Sequence, residues 1–144
     1  MRSFAAYHAS RGEKHRKVCL IPESAHGTNP ATAAMAGLTI NYIKTTNTGA
    51  VDLQSLKKAC EKFKDRLSCI MITYPSTCGV FDDDIIEICD MVHHYGGQVF
   101  LDGANFNAQV RLPHSNLRVF TFNILLHFSL EFVDQLTWDQ MLPI

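Results

Sequence analysis

Excess charge of either sign is missing from this sequence: 13 Lys and Arg against 14 Asp and Glu give a formal net charge of -1. A chain so near neutrality sets up no field that would draw nucleic acid. Its one basic cluster, Lys14, His15, Arg16 and Lys17, reads as a solvated face ahead of a strand. Paired cysteine spacing is missing too. Cys19, Cys60, Cys69, Cys78 and Cys89 are odd in number and contain no C-x-x-C, which argues against a disulfide framework or a structural zinc site. Cys19 and Cys69 fall inside apolar runs and read as small core residues of a reducing compartment. The most apolar late stretch, "LRVFTFNILLHFSLEFV", is interrupted by Arg118, Asn123, His127 and Glu131 and is short for a membrane span. The start, "MRSFAAYHASRGEKHRK", lacks the apolar core of a secretory signal. It is basic and acid-free up to Glu13, a faint likeness to a transit peptide, and reads as a helix end. No P-loop, G-x-G-x-x-G or H-E-x-x-H occurs. His93 and His94 are adjacent, so their side chains diverge and do not share a metal. No spacing singles out a nucleophilic triad.

What is present is a globular composition, 47% hydrophobic and 19% charged over 144 residues, enough for one core. "VCLIP" is a β-type run stopped by Pro22. In "SAHGTNPATAAMAG", Thr28 or Asn29 can cap a helix, Pro30 suits its first turn and Gly37 its end. "LTINYIK" alternates like a strand and "TTNTGA" is a turn. Leu53, Leu56, Cys60, Phe63 and Leu67 recur at helical spacing behind Asp52, a candidate cap. "SCIMITYP" is a continuous apolar run, as expected of a strand covered on both faces. "DDDIIEICDMVHHYGG" is a second amphipathic helix with acids at its start and glycines at its end. "QVFLD" is another buried strand. Strands alternating with helices predict an α/β fold, a mostly parallel sheet with flanking helices and right-handed crossovers.

Ligands of such sheets sit beyond the C-terminal ends of the strands. "SAHGTNP", "TYPSTCG" and "DGANFNA" all fall there. Asp102 closes a buried strand just before Gly103. As a plain turn residue it needs no further role. As a site residue it is a carboxylate held for a buried cation, a metal or the protonated ring nitrogen of pyridoxal phosphate (PLP), whose charge it would sustain. His26 is either a hydrogen-bonded loop residue or an imidazole that stacks on a ring or moves a proton. Gly27, Thr28 and Asn29 offer close backbone approach, a hydroxyl and an amide at a helix start, which suits an anion.

Three segments carry a resemblance: "CLIPESAHGTNPATAAMAG", "IMITYPST" and "GGQVFLDGANFNAQV". From about residue 5 to Val110 the chain resembles glycine decarboxylase, the P-protein of the glycine cleavage system, a PLP enzyme of the aspartate-aminotransferase fold type. The resemblance implies that Asp102 pairs with the pyridine nitrogen, that Ala104 lies near the ring and that Asn105 lies near its phenolic oxygen. It implies that His26 faces the ring and the bound amino acid, the one catalytic candidate, with Thr28 and Asn29 close by. It implies that glycine is decarboxylated and that its aminomethyl group passes to the lipoyl arm of the H-protein. The expected assembly is a homodimer or a heteromeric P-protein complex. The expected compartment is mitochondrial in a eukaryote and the cytosol in a bacterium.

The chain also departs from that family. The family holds PLP on a lysine in an H-K context well beyond the "DGAN" segment, whereas here the last lysine is Lys64. It lies near Lys57, Lys58 and Lys62 on a charged helix that reads as solvated surface. The family's upstream glycine-rich loop, which helps to hold the cofactor phosphate, would precede residue 1. After Val110 the text no longer resembles the family. The expectation is therefore a partial PLP-transferase large domain over 1–110 and a divergent tail over 111–144. In that tail Ile124, Leu125, Phe128, Phe132 and Leu136 have roughly helical spacing. Such a chain is expected to be inactive alone. The alternative is a non-enzymatic product that associates with, or competes in, a larger assembly of the same family.

Overall fold

The computed structural model describes residues 2–105. The divergent tail, its helical pattern and its apolar stretch all lie outside the described residues. Four strands form one parallel sheet in the order β2-β1-β3-β4: β1 is Val18–Pro22, β2 Thr39–Ile43, β3 Leu67–Thr73 and β4 Gln98–Asp102. The helices are α1 (Arg2–Ser10), α2 (Thr28–Met35), α3 (Leu53–Phe63) and α4 (Ile85–His94). Every strand-to-strand connection runs through a helix, as parallel pairing requires.

The central strands are apolar on both faces because both are covered. Cys19, Leu20, Ile21, Leu67, Cys69 and Ile70 have no exposed surface, and burying each large aliphatic side chain contributes about 1.5–3 kcal/mol. α3 turns Leu56, Ala59 and Cys60 inward. α4 does the same with Ile85, Ile88, Cys89 and Val92, and the two helices pack on each other. Asp52 caps α3 as expected, accepting from the backbone N–H groups of Gln54 at 2.9 Å and Ser55 at 3.3 Å. Gly37 ends α2 with φ +74°, a left-handed geometry that glycine adopts without strain.

Three local expectations need correction. Neither Thr28 nor Asn29 caps α2. Gly27 stands at the cap with no side-chain bond, and His26 Nδ1 instead accepts the Thr28 N–H at 3.2 Å. Leu67 does not continue the α3 stripe; the helix stops at Phe63 and Leu67 opens β3, fully buried. A leucine four residues past Phe63 fits either period, and pairing with β1 decides the matter.

Arg16 is the third correction. Far from being a solvated charge, its side chain is 12% exposed and pairs with Glu13 at 3.2 Å. It also donates to the carbonyls of Lys64 (2.9 Å), Leu67 (3.1 Å) and Tyr95 (3.2 Å). One guanidinium thus ties the end of α3, the start of β3 and the end of α4. A Cβ added at Gly96 would meet this guanidinium at 2.8 Å, and one at Gly97 would meet Leu67 and Val92 at 2.9 Å. Gly96 lets the chain pass against Arg16, and Gly97 lets it pass between Leu67 and Val92. Burial alone would raise the Glu13 carboxyl, but the Arg16 hydrogen bond and charge, with His8, hold it below its ordinary 4.5.

Arg16→Met should therefore destabilise the fold by about 2–4 kcal/mol in urea unfolding, since it orphans several carbonyls and an acid. A change within experimental error would refute the clamp. The lowered Glu13 carboxyl adds stability that is present above pH 4.5 and lost as the pH falls through its folded value. Glu13→Gln should flatten that acid limb of the stability curve.

The five cysteines are free; Cys78 is exposed and Cys19, Cys60, Cys69 and Cys89 are buried. Hydrogen bonding to Cys69, then burial, pushes the Cys19 thiol far up, and burial with Glu61 nearby pushes Cys60 up to about 12. Because the thiolate is the reactive form, a thiol reagent should label the native chain at Cys78 alone. Labelling of Cys19 or Cys60 at a comparable rate in native buffer would contradict the buried assignments.

Candidate functional site

β1 leads out to β2 on one side, whereas β3 leads to β4 on the other. Their outgoing loops therefore part at the C-terminal ends of β1 and β3, and a crevice opens where the direction of winding switches. The segments expected to converge do so there, the third through its described residues 102–105. Thr77 donates its hydroxyl to the carbonyl of Ser24, joining the loops after β3 and β1. Asn105 donates Nδ2 to the carbonyls of Pro75 (2.9 Å) and Ser76 (3.2 Å), joining the turn after β4 to the loop after β3.

At the centre lies Asp102. Parallel register sets it opposite Thr73, and neighbouring strands place such partners on one face of the sheet. The Thr73 hydroxyl donates to Asp102 Oδ2 at 3.2 Å. Asn29 Nδ2 donates to the same Oδ2 at 3.3 Å and to Thr73 Oγ1 at 3.3 Å. The Ala104 N–H reaches Oδ1 at 3.1 Å. Donors from α2, β3 and the turn after β4 thus meet one carboxylate, which suits an acceptor-only, ionised acid.

The other expected residues stand around this centre. His26 is exposed in the loop after β1, its Nδ1 turned to the Thr28 N–H. Thr28 is exposed at the start of α2. Asn29 is buried, 5% exposed, and its amide points to Thr73 and Asp102. Ala104 contributes its backbone N–H. Asn105 spends its amide nitrogen on the loop after β3.

Two site-forming residues were not singled out from sequence. Thr73 closes an apolar run in which a threonine looks like one more β-branched residue; only its register against Asp102 marks it. Asp82 looks like one of three acids opening α4. Instead it is 8% exposed and accepts from the Val51 N–H at 2.8 Å and the Asp84 N–H at 3.2 Å. It latches the turn before α3 to the loop before α4. A cleft of about 20 Å³ beside it, lined by Ser24, Ala50, Val51, Tyr74, Asp82 and Ile85, has room for about one water. Burial, then the charges of Asp82 and Asp83, push the Tyr74 phenol up to about 12.

Solved structures with this fold define its class. The chain overlays mouse CSAD with a TM-score of 0.61, at 16% identity, over 72% of this chain and 24% of that one. It overlays Oryza sativa TDC with PLP and tryptamine at 0.60 and 19% identity, over 71% of this chain and 24% of that one. A sphingosine-1-phosphate lyase of Burkholderia pseudomallei gives 0.60 at 16% identity, covering 77% and 26%. The fold is a piece of the large domain of fold type I PLP-dependent enzymes.

Sequence relatives narrow this further. The chain is 60% identical over 107 residues to a glycine dehydrogenase (decarboxylating) of Paraburkholderia xenovorans, covering 74% of this chain and 11% of that protein. It is 59% identical over 107 residues to the mitochondrial glycine dehydrogenase (decarboxylating) of Pisum sativum, covering 74% and 10%. A Xanthomonas euvesicatoria relative of the same name is 58% identical over 105 residues, covering 73% and 11%. Over this stretch the chain is a homologue of proteins named glycine dehydrogenase (decarboxylating). It spans about a tenth of the length of the curated relatives it matches. No family model matches it.

Asp82→Asn should bring the Tyr74 phenol down from about 12, followed by phenolate absorbance. Because the folded phenol is raised, its stability contribution is full below its ordinary 10 and is lost as pH rises through about 12. The variant should also lose about 1–3 kcal/mol by leaving a backbone N–H poorly matched. An unmoved phenol titration would show that the Asp82 charge is not felt at Tyr74.

Proposed function

We propose that this chain forms the ring-binding part of a glycine dehydrogenase (decarboxylating) site, with PLP as cofactor and glycine as substrate. The observation that carries this is the Asp102 carboxylate, held by donors from three elements at the strand ends of a PLP-enzyme fold. Asp102 would hold the proton on the pyridine nitrogen, each charge favouring the other. His26, exposed in the neighbouring loop, would lie against the ring and face the bound amino acid. Thr28 and the N-terminus of α2 offer a hydroxyl and a positive dipole end to an anion such as the glycine carboxylate. Ala104 and Asn105 would border the ring from the turn after β4. Bound PLP supplies an electron sink for the pair left on the glycine carbon when carbon dioxide leaves.

The donor set fits a pyridine ring, but the covalent anchor has no counterpart here. Every lysine lies at or before Lys64. Lys57, Lys58, Lys62 and Lys64 are exposed along α3 and at its end. We therefore read the chain as one part of the site, inactive by itself. In the complete enzyme the aminomethyl group would pass to the lipoyl arm of the H-protein, within a homodimer or a heteromeric P-protein assembly. The host would set the compartment, mitochondrial as for the pea relative's name or bacterial cytosol. No helix among the described residues is long and apolar enough to cross a membrane. The second role, association with a larger assembly of the family, is favoured by β4: among the described residues it lies at a sheet edge, with Val99, Phe100 and Leu101 only half-buried.

Purified chain mixed with PLP and reduced with borohydride should yield no stoichiometric pyridoxyl adduct on a lysine by mass spectrometry. A full adduct on a single lysine would show that the chain carries its own anchor. Pyridoxamine phosphate, which needs no lysine, should bind reversibly and lose at least tenfold in affinity in Asp102→Ala, the loss of a charge-assisted hydrogen bond of about 1.5–3 kcal/mol.

A further inference from the structure

Asn29 sits in the first turn of α2, where an amide could cap the helix or face water at no cost. It does neither: the cap is Gly27, and the Asn29 side chain is buried at 5% exposure. A buried amide is costly unless hydrogen-bonded. Its Nδ2 is matched to two oxygens, Thr73 Oγ1 and Asp102 Oδ2, each at 3.3 Å. The Thr73 hydroxyl accepts from Asn29 and donates to Asp102 Oδ2 at 3.2 Å. The three side chains form a closed triangle with one direction of donation. Turning the amide over would aim its oxygen at the carboxylate, so the network itself fixes which atom is nitrogen.

This arrangement has two consequences for Asp102. Oδ2 receives two donors and has little room for a proton or a third partner. Among the described residues Oδ1 takes only the Ala104 N–H at 3.1 Å, so it is the oxygen with acceptor capacity left to offer. Rotation about the Asp102 side chain is locked at both oxygens.

We propose that Thr73 and Asn29 are positioning residues for Asp102, which consume Oδ2 and present Oδ1 to the cofactor ring nitrogen. This rests on the PLP reading above and gives Asn29 a place behind the carboxylate rather than against the substrate. Thr73 touches neither ring nor substrate; it acts through Asp102. Threonine suits the place because its branched side chain fits a buried strand end while its hydroxyl relays between an amide and an acid.

The test uses the 144-residue chain with the Asp102 carboxyl carbon resonance followed by NMR at fixed pH. Pyridoxamine phosphate is the added probe. Thr73→Val, which keeps the shape and removes the hydroxyl, should displace that resonance and weaken probe binding about tenfold, the loss expected for one charge-assisted hydrogen bond. Thr73→Ser should keep both near wild type, which a purely packing role for the threonine methyl would not. Should Thr73→Val fail to fold, Asn29→Leu takes its place: it removes the other donor to Oδ2 and should likewise displace the resonance and weaken the probe. An unmoved Asp102 resonance in the folded variant overturns the proposal, as does a displaced resonance with undiminished probe binding. If wild type does not bind the probe, the PLP reading falls, while the ligand-free resonance still decides whether Thr73 holds the carboxylate.

Discussion

The candidate site depends on the register between β3 and β4, which sets Thr73 opposite Asp102. In a parallel pair a slip of one residue sends every side chain to the other face. It would part the Asp102 carboxylate from the Thr73 hydroxyl and from Asn29. The register is held from below by the matches of buried Cys69, Ile70 and Met71 with Gln98, Val99 and Phe100. It is held from above by the Tyr74 N–H on the Asp102 carbonyl at 3.0 Å. Side-chain chemistry at the strand ends is thus fixed by packing in the strand interiors.

The opposite end of the sheet carries a second polar device, Arg16 with Glu13 and His8. His8 is 1% exposed; its Nε2 meets the Ser68 carbonyl at 3.0 Å and its Nδ1 lies 3.7 Å from Glu13. Together with Arg16 it ties α1 and the β1 entry to α3, β3 and α4. One end of the sheet is therefore closed by Arg16 and His8 turned onto backbone carbonyls. The other end leaves a carboxylate whose Oδ1 takes, among the described residues, one donor. Both ends use charge-assisted hydrogen bonds that are partly shielded from water and costly to break.

The loops over the site are cross-tied by short polar contacts rather than by apolar packing. Ser24 meets Thr77, Asn105 meets Pro75 and Ser76, and Asp82 holds Val51. Such ties order a rim around Asp102 while leaving His26 and Thr28 exposed. The result is a fixed floor around the carboxylate with open walls above it. The relatives that share this stretch are proteins about nine to ten times its aligned length.

Sequence alone determined the order of elements, the parallel sheet and the convergence of three loops. Those follow from hydrophobic period, glycine and proline placement and the handedness of crossovers, all local or generic. It also carried the family, because "SAHGTNPA", "ITYPST" and "VFLDGANFNAQV" are specific strings. Tertiary structure decided what each polar residue near those strings does. Asn29 reads as a cap and is a buried donor to Asp102; Thr73 reads as strand filler and is a relay; Arg16 reads as solvated and is a clamp; Asp82 reads as a helix-start acid and is a latch. In each case the partner lies more than 25 residues away in sequence. No local pattern encodes such a partner, and only the register of the strands and the burial around them bring the two groups within hydrogen-bond reach.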